Sequence, residues 1–273
     1  MKKNFKNTTQ FFARFLGLNQ DCAEQLEEEK KFITYKVVNL ENKKIGMEVV
    51  VRGEKKVFTP EQIMGFYLKK VRTYFEKAGM NSKEIVISCP SYASNSERQA
   101  YLDAAEIAGI KCIRLINEGT ACALTYGFFR KSQLDEKIER VVAFVDMGHS
   151  ALTVTYASFT KDKMKILKSH SDKNLGARQI DFQLFELLGG EFAKKYGCDP
   201  RGNLRCRLRL LDSIEKMRKL LTSNKEADVT CEALLEDEDL RQHYTRDQLQ
   251  ELMAPYIESF RKCLMDSIIL NGK

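Results

Sequence analysis

Apolar positions along this chain fall into two rhythms, continuous or alternating runs that suit strands and helical spacings that suit one-sided helices. Val141 to Val145 are five consecutive apolar residues, which predicts a strand buried on both faces. The alternating run Ala151 to Phe159 and the run 163–168 follow after short turns, so the three should pair antiparallel. Ile85 to Cys89, closed by Pro90, and Ile113 to Ile116 predict two further strands, and Val229 to Leu235 is a candidate for another.

Helix signals lie between these runs. Thr59 precedes Pro60 and stands three residues before Gln62, a capping signature, and Ile63, Phe66, Tyr67, Val71, Tyr74 and Phe75 should form the apolar side of the helix that follows. Ser94 and Glu97 make a second capping box for a helix ending near Gly109. Ala121, Ala123 and Gly127 describe a small-residue helix able to approach a neighbour closely. Helices near 178–196 and 203–223 are separated by the turn Gly197 to Gly202, and Thr245 with Gln248 caps a last helix running towards Ser267. Phe5, Phe11, Phe12 and Phe15 follow a helical face and read as packing surface. The polar stretch Lys131 to Arg140 should link two lobes, giving an α/β protein whose ligand lies between them.

Composition narrows the function. At 273 residues, with 43% hydrophobic and 30% charged positions, the chain can build a large core or two joined lobes. Forty-five basic against 38 acidic residues give +7, but the basic positions are interleaved with acids, so a nucleic-acid groove is not expected. No window suits a transmembrane span and the N-terminus has no apolar signal core, so no membrane partner is expected and the chain reads as cytoplasmic, with the nucleus as a second compartment. The eight cysteines lack any C-x-x-C pair and read as reduced thiols rather than a zinc site or disulfide framework. His149, His170 and His243 have no metal-ligand spacing, no Ser-His-Asp arrangement is supported, and Gly189-Gly190 lacks a dinucleotide fingerprint around it.

The segment that carries candidate chemistry is Val145-Asp146-Met147-Gly148-His149-Ser150. An acid at a strand end can hold a hard cation, and a glycine two residues later lets backbone approach phosphoryl oxygens. Alone, the same pattern also describes a solvated turn.

Several separated motifs resemble the ATPase domain of Hsp70 chaperones. They are Ile87-Ser88-Cys89-Pro90-Ser91-Tyr92, Ser96-Glu97-Arg98-Gln99-Ala100, Asp103 to Gly109, Arg114 to Ala121, Asn174-Leu175-Gly176 and Glu215-Lys216-Met217-Arg218-Lys219-Leu220. The form Phe144-Val145-Asp146-Met147-Gly148-His149-Ser150-Ala151 is nearer the Hsp110 branch. The resemblance implies an actin-like α/β domain with ribonuclease-H-like lobes, binding ATP or ADP with Mg²⁺. By that comparison Asp146 is the magnesium-side acid and Glu118 positions metal-bound water. Gly148, His149 and Gly176 border the phosphates, and Glu215, Arg218 and Thr222 clasp the adenosine. Read from spacing alone, 215–222 is an ordinary charged helix face.

Departures from the family pattern point to weak or absent hydrolysis. In Ala13-Arg14-Phe15-Leu16-Gly17 an alanine stands where Hsp70 carries a lysine, and an alanine can neither orient water nor offset phosphoryl charge. Ala151 replaces an expected hydroxyl, and Leu175-Gly176-Ala177 replaces Leu-Gly-Gly. No first phosphate loop stands before Asn7 and no Gly-Gly-x-x-Arg-x-Pro segment follows, so the domain is expected to be incomplete at both ends and to expose strand edges. The expected organisation is a first lobe over 1–134, outer to about 58 and inner from 59, and part of a second over 135–273. Within the latter, 135–176 is inner, 177–254 outer and 255–273 a terminal helix. Three functions follow: an Hsp110-like nucleotide-binding chaperone component serving an Hsp70-type partner by nucleotide exchange, with unfolded clients met only indirectly; a shortened interaction module that binds no nucleotide; or, least favoured, an active ATPase.

Overall fold

The computed structural model describes residues 4–80 and 83–269. Contacts divide the chain into two compact units, 1–122 and 123–273.

The first unit opens with two short 3-10 turns, Phe5–Asn7 and Phe12–Phe15, in place of the helical face expected of the N-terminal aromatics. Phe11 between them adopts a left-handed conformation that a helix cannot continue through, but Phe15 is fully buried. Helix α1 (Ala23–Lys30) leads to an antiparallel sheet in the order β1 (Lys36–Asn39), β2 (Ile45–Val51), β3 (Glu54–Phe58). Phe15, Leu26, Tyr35, Ile45, Met47 and Ile63 form the core beneath it.

Helix α2 (Pro60–Lys77) starts at the predicted cap. Gln62 N donates to Thr59 Oγ1 at 3.3 Å and Thr59 N donates to Gln62 Oε1 at 3.0 Å. Its buried face differs from the expected one: Ile63, Gly65 and Leu68 are buried, whereas Phe66, Tyr67, Tyr74 and Phe75 are exposed. The reason is α3 (Asn95–Ile107), which packs on α2 at Gly65, where an added Cβ would stand 2.7 Å from Ile107 Cγ2. A small residue, not an aromatic stripe, sets that contact. Phe66 keeps an edge-on contact with Phe58, their ring centroids 5.2 Å apart. Strands β4 (Glu84–Cys89) and β5 (Lys111–Asn117) pair in parallel, as a crossover through α3 requires, and α3 is boxed by Ser94 and Glu97 as predicted. Helix α4 (Glu118–Arg130) follows β5 directly, and the division between the units falls within it.

In the second unit, β6 (Arg140–Met147), β7 (Leu152–Thr160) and β8 (Lys163–Asp172) form the predicted antiparallel meander in that order. Burial corrects one expectation: β7, not β6, is the covered strand. Leu152, Val154, Ala157 and Phe159 are buried, whereas β6 lies at the sheet edge with Val141 and Val145 exposed. Strand order decides this, since only β7 has neighbours on both sides. Lys131 to Arg140 lies in this unit, with Leu134 buried against Ala157 and Phe159. Gly127 of α4 meets the Phe159 ring, where an added Cβ would stand 3.2 Å away.

Helices α5 (Ala177–Tyr196) and α6 (Leu204–Leu220) pack on a hairpin of β9 (Glu226–Leu235) and β10 (Glu238–Thr245). Their core runs through Leu184, Phe185, Leu188, Leu210, Ile214 and Met217. Helix α7 (Arg246–Ile269) carries the predicted Thr245/Gln248 capping bonds of 2.9 and 3.2 Å. Residues 270–273 of the expected terminal helix lie outside the described residues. All eight cysteines are free thiols, and among the described residues no helix is long and apolar enough to cross a membrane.

Candidate functional site

Asp146 is the penultimate residue of β6, exposed, opposite Thr153 of β7. The chain turns back through 148–151, where Gly148 N donates to Ala151 O at 3.0 Å. This turn sits against the start of α5. Ala177 N donates to Gly148 O at 3.2 Å and Arg178 N donates to His149 O at 2.8 Å. Gly176 is the close approach that permits it, because a Cβ there would stand 2.6 Å from His149 O and 2.7 Å from Ala151 N. Gly148 has no comparable constraint, its nearest would-be contact being Ala151 O at 3.8 Å. Gly176 N in turn donates to Gln179 Oε1 at 3.0 Å, closing the α5 N-terminus on itself.

One turn into α5, buried Asp181 accepts two bonds from Arg218 of α6, Nε at 2.6 Å and Nη2 at 2.9 Å. The Asp181 carboxylate raises the Arg218 pKa above the usual guanidinium value by these bonds. Glu215, one turn earlier on α6, pairs instead with Lys219 at 2.5 Å, which holds its carboxyl below the ordinary range. His149 titrates below the usual histidine value. Desolvation is the leading cause and the positive Arg178 adds to it, while Asp181 and Glu215 pull the other way. The imidazole of the turn and the charged groups of α5 and α6 therefore share one electrostatic environment.

His149 is thus coupled electrostatically to Glu215 and Arg218, and Gly176 packs against the turn that holds Gly148 and His149, with Asp146 at the end of β6 two residues before it. Thr222 lies past the end of α6 with its hydroxyl donating to Lys219 O at 2.6 Å, engaged by its own backbone. Asp181 and Arg178 do not stand out in the sequence. Their only local signal is a spacing of three on one helix face beside a glycine, and the partner of Asp181 comes from a distant helix.

Glu118 stands in the first unit, at the first residue of α4, half-buried. Next to it Asn117 Oδ1 accepts from Arg98 Nη2 at 2.8 Å, and Arg98 Nη1 donates to Cys89 Sγ at 3.1 Å. Burial pushes the Cys89 thiol and the Tyr92 and Tyr101 phenols up, and the Glu118 charge raises each further. The Ala13 segment is also in this unit. Ala13 is exposed, and beside it Arg14 donates to buried Glu29 Oε1 at 2.6 and 2.9 Å and to Tyr92 Oη at 2.8 Å. Among the described residues no cluster of His, Cys, Asp and Glu forms a ready metal cage; Asp146 is a single carboxylate at a turn.

A family model described as Hsp70 protein matches residues 1–270. The chain is 36% identical over 258 residues to a heat shock protein homolog of Saccharomyces cerevisiae, covering 93% of this chain and 37% of the relative. It is equally 36% identical over 258 residues to the 97 kDa heat shock protein of Strongylocentrotus purpuratus, covering 93% of this chain and 29% of that protein. The chain therefore spans under two-fifths of the length of these curated relatives. With strands and helices in the order its motifs imply, and with that match along almost its whole length, the chain belongs to the Hsp70 family, on its Hsp110 side.

Proposed function

We propose that this chain is an Hsp110-like nucleotide-binding chaperone component that serves an Hsp70-type partner by nucleotide exchange, with weak or absent hydrolysis of its own. The observation that carries the nucleotide reading is the turn after Asp146, held against the start of α5 by the close approach at Gly176, with the Asp181–Arg218 pair one helical turn further along α5.

The ligand implied by the family is ATP or ADP with Mg²⁺, and the residues fit it in kind. Asp146 offers an exposed carboxylate with no ion-pair partner among the described residues, suited to a hard cation. Gly176 keeps the turn free of a side chain where the backbone is most crowded. Asp146 would hold the metal, Gly148, His149 and Gly176 would border phosphate, and Glu215, Arg218 and Thr222 would face adenosine. Glu118 keeps the water-positioning role its motif implies. The cation supplies charge neutralisation to the phosphates when bound.

Affinity is set low by the turn itself. The N–H groups of Gly148, Gly176, Ala177 and Arg178, the natural anion donors at a helix start, already donate to Ala151 O, Gln179 Oε1, Gly148 O and His149 O. Arg218 is likewise committed to Asp181. Hydrolysis is set lower still, because Ala13 supplies no ammonium and Ala151 no hydroxyl.

Calorimetric titration of ATP and ADP, with and without Mg²⁺, into folded, monodisperse protein tests this reading. Saturable, magnesium-sensitive binding that Asp146→Ala weakens is the expected result. No binding to a well-folded sample would leave the interaction module as the function.

A further inference from the structure

We propose that the cavity between the first turns of α6 and the bent end of the β9–β10 hairpin is a second ligand site, one that takes a short peptide carrying a free carboxylate at one end and an ammonium at the other. The cavity has a volume of about 570 Å³, and its lining comes from one continuous stretch of chain, Asn203 to Asp237. That size falls within the about 300–1,000 Å³ of small-ligand pockets. It lies wholly in the second unit and shares no lining residue with the Asp146 turn, so it stands independently of the nucleotide reading. The hairpin is shaped to leave this space. Ladder pairs Leu235–Glu238 and Cys231–Leu240 enclose Glu232, Ala233 and Leu234 against the single residue Asp239, a bulge that bends the end of β9. α6 fixes the bulge: Arg209 Nη1 donates to Ala233 O at 2.8 Å, Arg209 Nη2 donates to Glu232 O, and the Cys206 thiol donates to Leu234 O at 2.9 Å. From the other strand, Asp239 Oδ1 accepts from Ala233 N at 2.8 Å. These bonds hold backbone and leave the side chains beyond the bulge to line the cavity.

The lining divides by charge. Arg205 and Arg209 stand one turn apart on α6, Glu236 and Asp237 form the hairpin tip, and Leu234 and Leu235 supply apolar surface. Arg205 and Asp237 are both exposed, and among the described residues neither has an ion-pair partner, although they line the same cavity. An anion alone would meet the acids and a cation alone the arginines, whereas a zwitterion finds a complementary group at each end. Arg209 has committed two of its five N–H donors to the hairpin, so Arg205 is the principal carboxylate ligand. Glu236 is engaged with the Cys198 thiol, so Asp237 is the principal ammonium ligand. The N–H groups of Arg205 and Cys206 donate to Asn203 Oδ1, so recognition of the carboxylate falls to side chains rather than to the helix end. The apolar surface of Leu234 and Leu235 suits an aliphatic residue between the two charged ends. Glu236 and Asp237 both hold left-handed backbone, φ 51° and 61°, where asparagine and glycine are the usual turn residues; the acids there put carboxylates at the cavity.

The test is a titration of the full chain, followed by backbone amide NMR, with the tripeptide Ala-Leu-Ala, its N-acetylated form and its C-amidated form. The free tripeptide is expected to bind saturably and to shift the signals of Asn203 to Cys206 and of Leu234 to Asp237. Blocking either end removes one charge-assisted contact and should weaken binding by about tenfold or more. In Arg205→Gln the penalty for amidation should vanish while that for acetylation stays, and in Asp237→Asn the reverse should hold. Asparagine is the replacement at 237 because it tolerates the left-handed backbone there. No saturable binding by the wild type at about 10 mM peptide overturns the proposal. So does binding that ignores both blocks, binding whose shifts centre elsewhere on the chain, or penalties that the two variants fail to separate. Should a variant misfold, the free and blocked peptides on the wild type, with the position of their shifts, decide alone.

Discussion

Arg218 of α6 grips Asp181 of α5 at two points, 2.6 and 2.9 Å, one helical turn beyond the point where the 148–151 turn meets the start of α5. The Asp181 side chain is 8% exposed, so removing Arg218 leaves a carboxylate with little water and no cation. Arg218→Ala should therefore destabilise the second unit by about 3 kcal/mol. Glu215→Ala removes only the exposed pair with Lys219 and should cost less than about 1 kcal/mol. Urea denaturation midpoints of the two variants give the comparison, and equal losses would show that the Asp181 pair is not what ties α5 to α6.

Gly148 of the turn and Gly176, which faces it from the start of α5, should separate folding from binding. Gly176→Ala drives a methyl to within 2.6 Å of His149 O and 2.7 Å of Ala151 N, both backbone atoms of the turn that α5 holds in place, so the turn must move. A loss of about 1–3 kcal/mol is expected. Gly148→Ala meets nothing nearer than 3.8 Å and should melt within a degree or two of wild type. If Gly148→Ala keeps its stability but loses nucleotide heat in calorimetry, the methyl is intruding on phosphate rather than on the fold.

How much of this is legible in the sequence depends on how local the cause is. The three capping boxes, Thr59/Gln62, Ser94/Glu97 and Thr245/Gln248, are chemistry within four residues, and each forms as written. β1 and β3 give little signal, because Lys36, Glu54, Lys55 and Lys56 interrupt any alternation and β3 is mostly exposed, whereas β2 does carry a legible apolar run, Val49-Val50-Val51, behind its buried Ile45 and Met47. β10 is hidden for the same reason: Glu238 to Thr245 is mostly polar and buries only Leu240 and Tyr244. The apolar run of β6 reads as doubly buried because composition cannot say which strand lies at an edge; its neighbours decide that. In the candidate site, Asp146 to Ser150 are readable as a motif, but Asp181 is not. Its meaning comes from an arginine 37 residues away, brought near only when α5 and α6 pack.

Two histidines should titrate in opposite directions from the ordinary value near 6.5. His149 is held below it by desolvation and by Arg178, so the folded chain resists its protonation and the unfolded chain does not. Between the lowered folded value and 6.5 the unfolded state binds more protons, so stability falls as pH drops through that window. His243 is raised by its bond to Asp228 Oδ1 at 2.7 Å, with Glu226 adding to the shift. Its contribution is present below 6.5 and is lost as pH rises through the raised folded value. Side-chain NMR titration should resolve one midpoint on each side, and Asp228→Asn should return only the upper one towards 6.5. Assigned His149 and His243 midpoints on the same side of 6.5 would contradict the environments described for the turn and the hairpin.

Ala13 gives the sharpest reading of catalysis. It is exposed, and the neighbouring Arg14 is locked by Glu29 and Tyr92, so a longer side chain at 13 can be added without disturbing that network. Ala13→Lys is therefore expected to leave the melting temperature unchanged. It should also leave single-turnover ATP hydrolysis within about tenfold of the wild-type background, because groups that act as a unit in phosphoryl transfer do little singly. Adding Ala151→Thr supplies the second missing group, and the double variant should exceed the sum of the single ones if both act on the same step. Radiolabelled ATP under single-turnover conditions measures all four proteins. Clear magnesium-dependent turnover by the wild type, abolished by Asp146→Ala, would instead show that this chain hydrolyses ATP without the lysine and hydroxyl, and water positioning would have to be sought in groups such as Glu118.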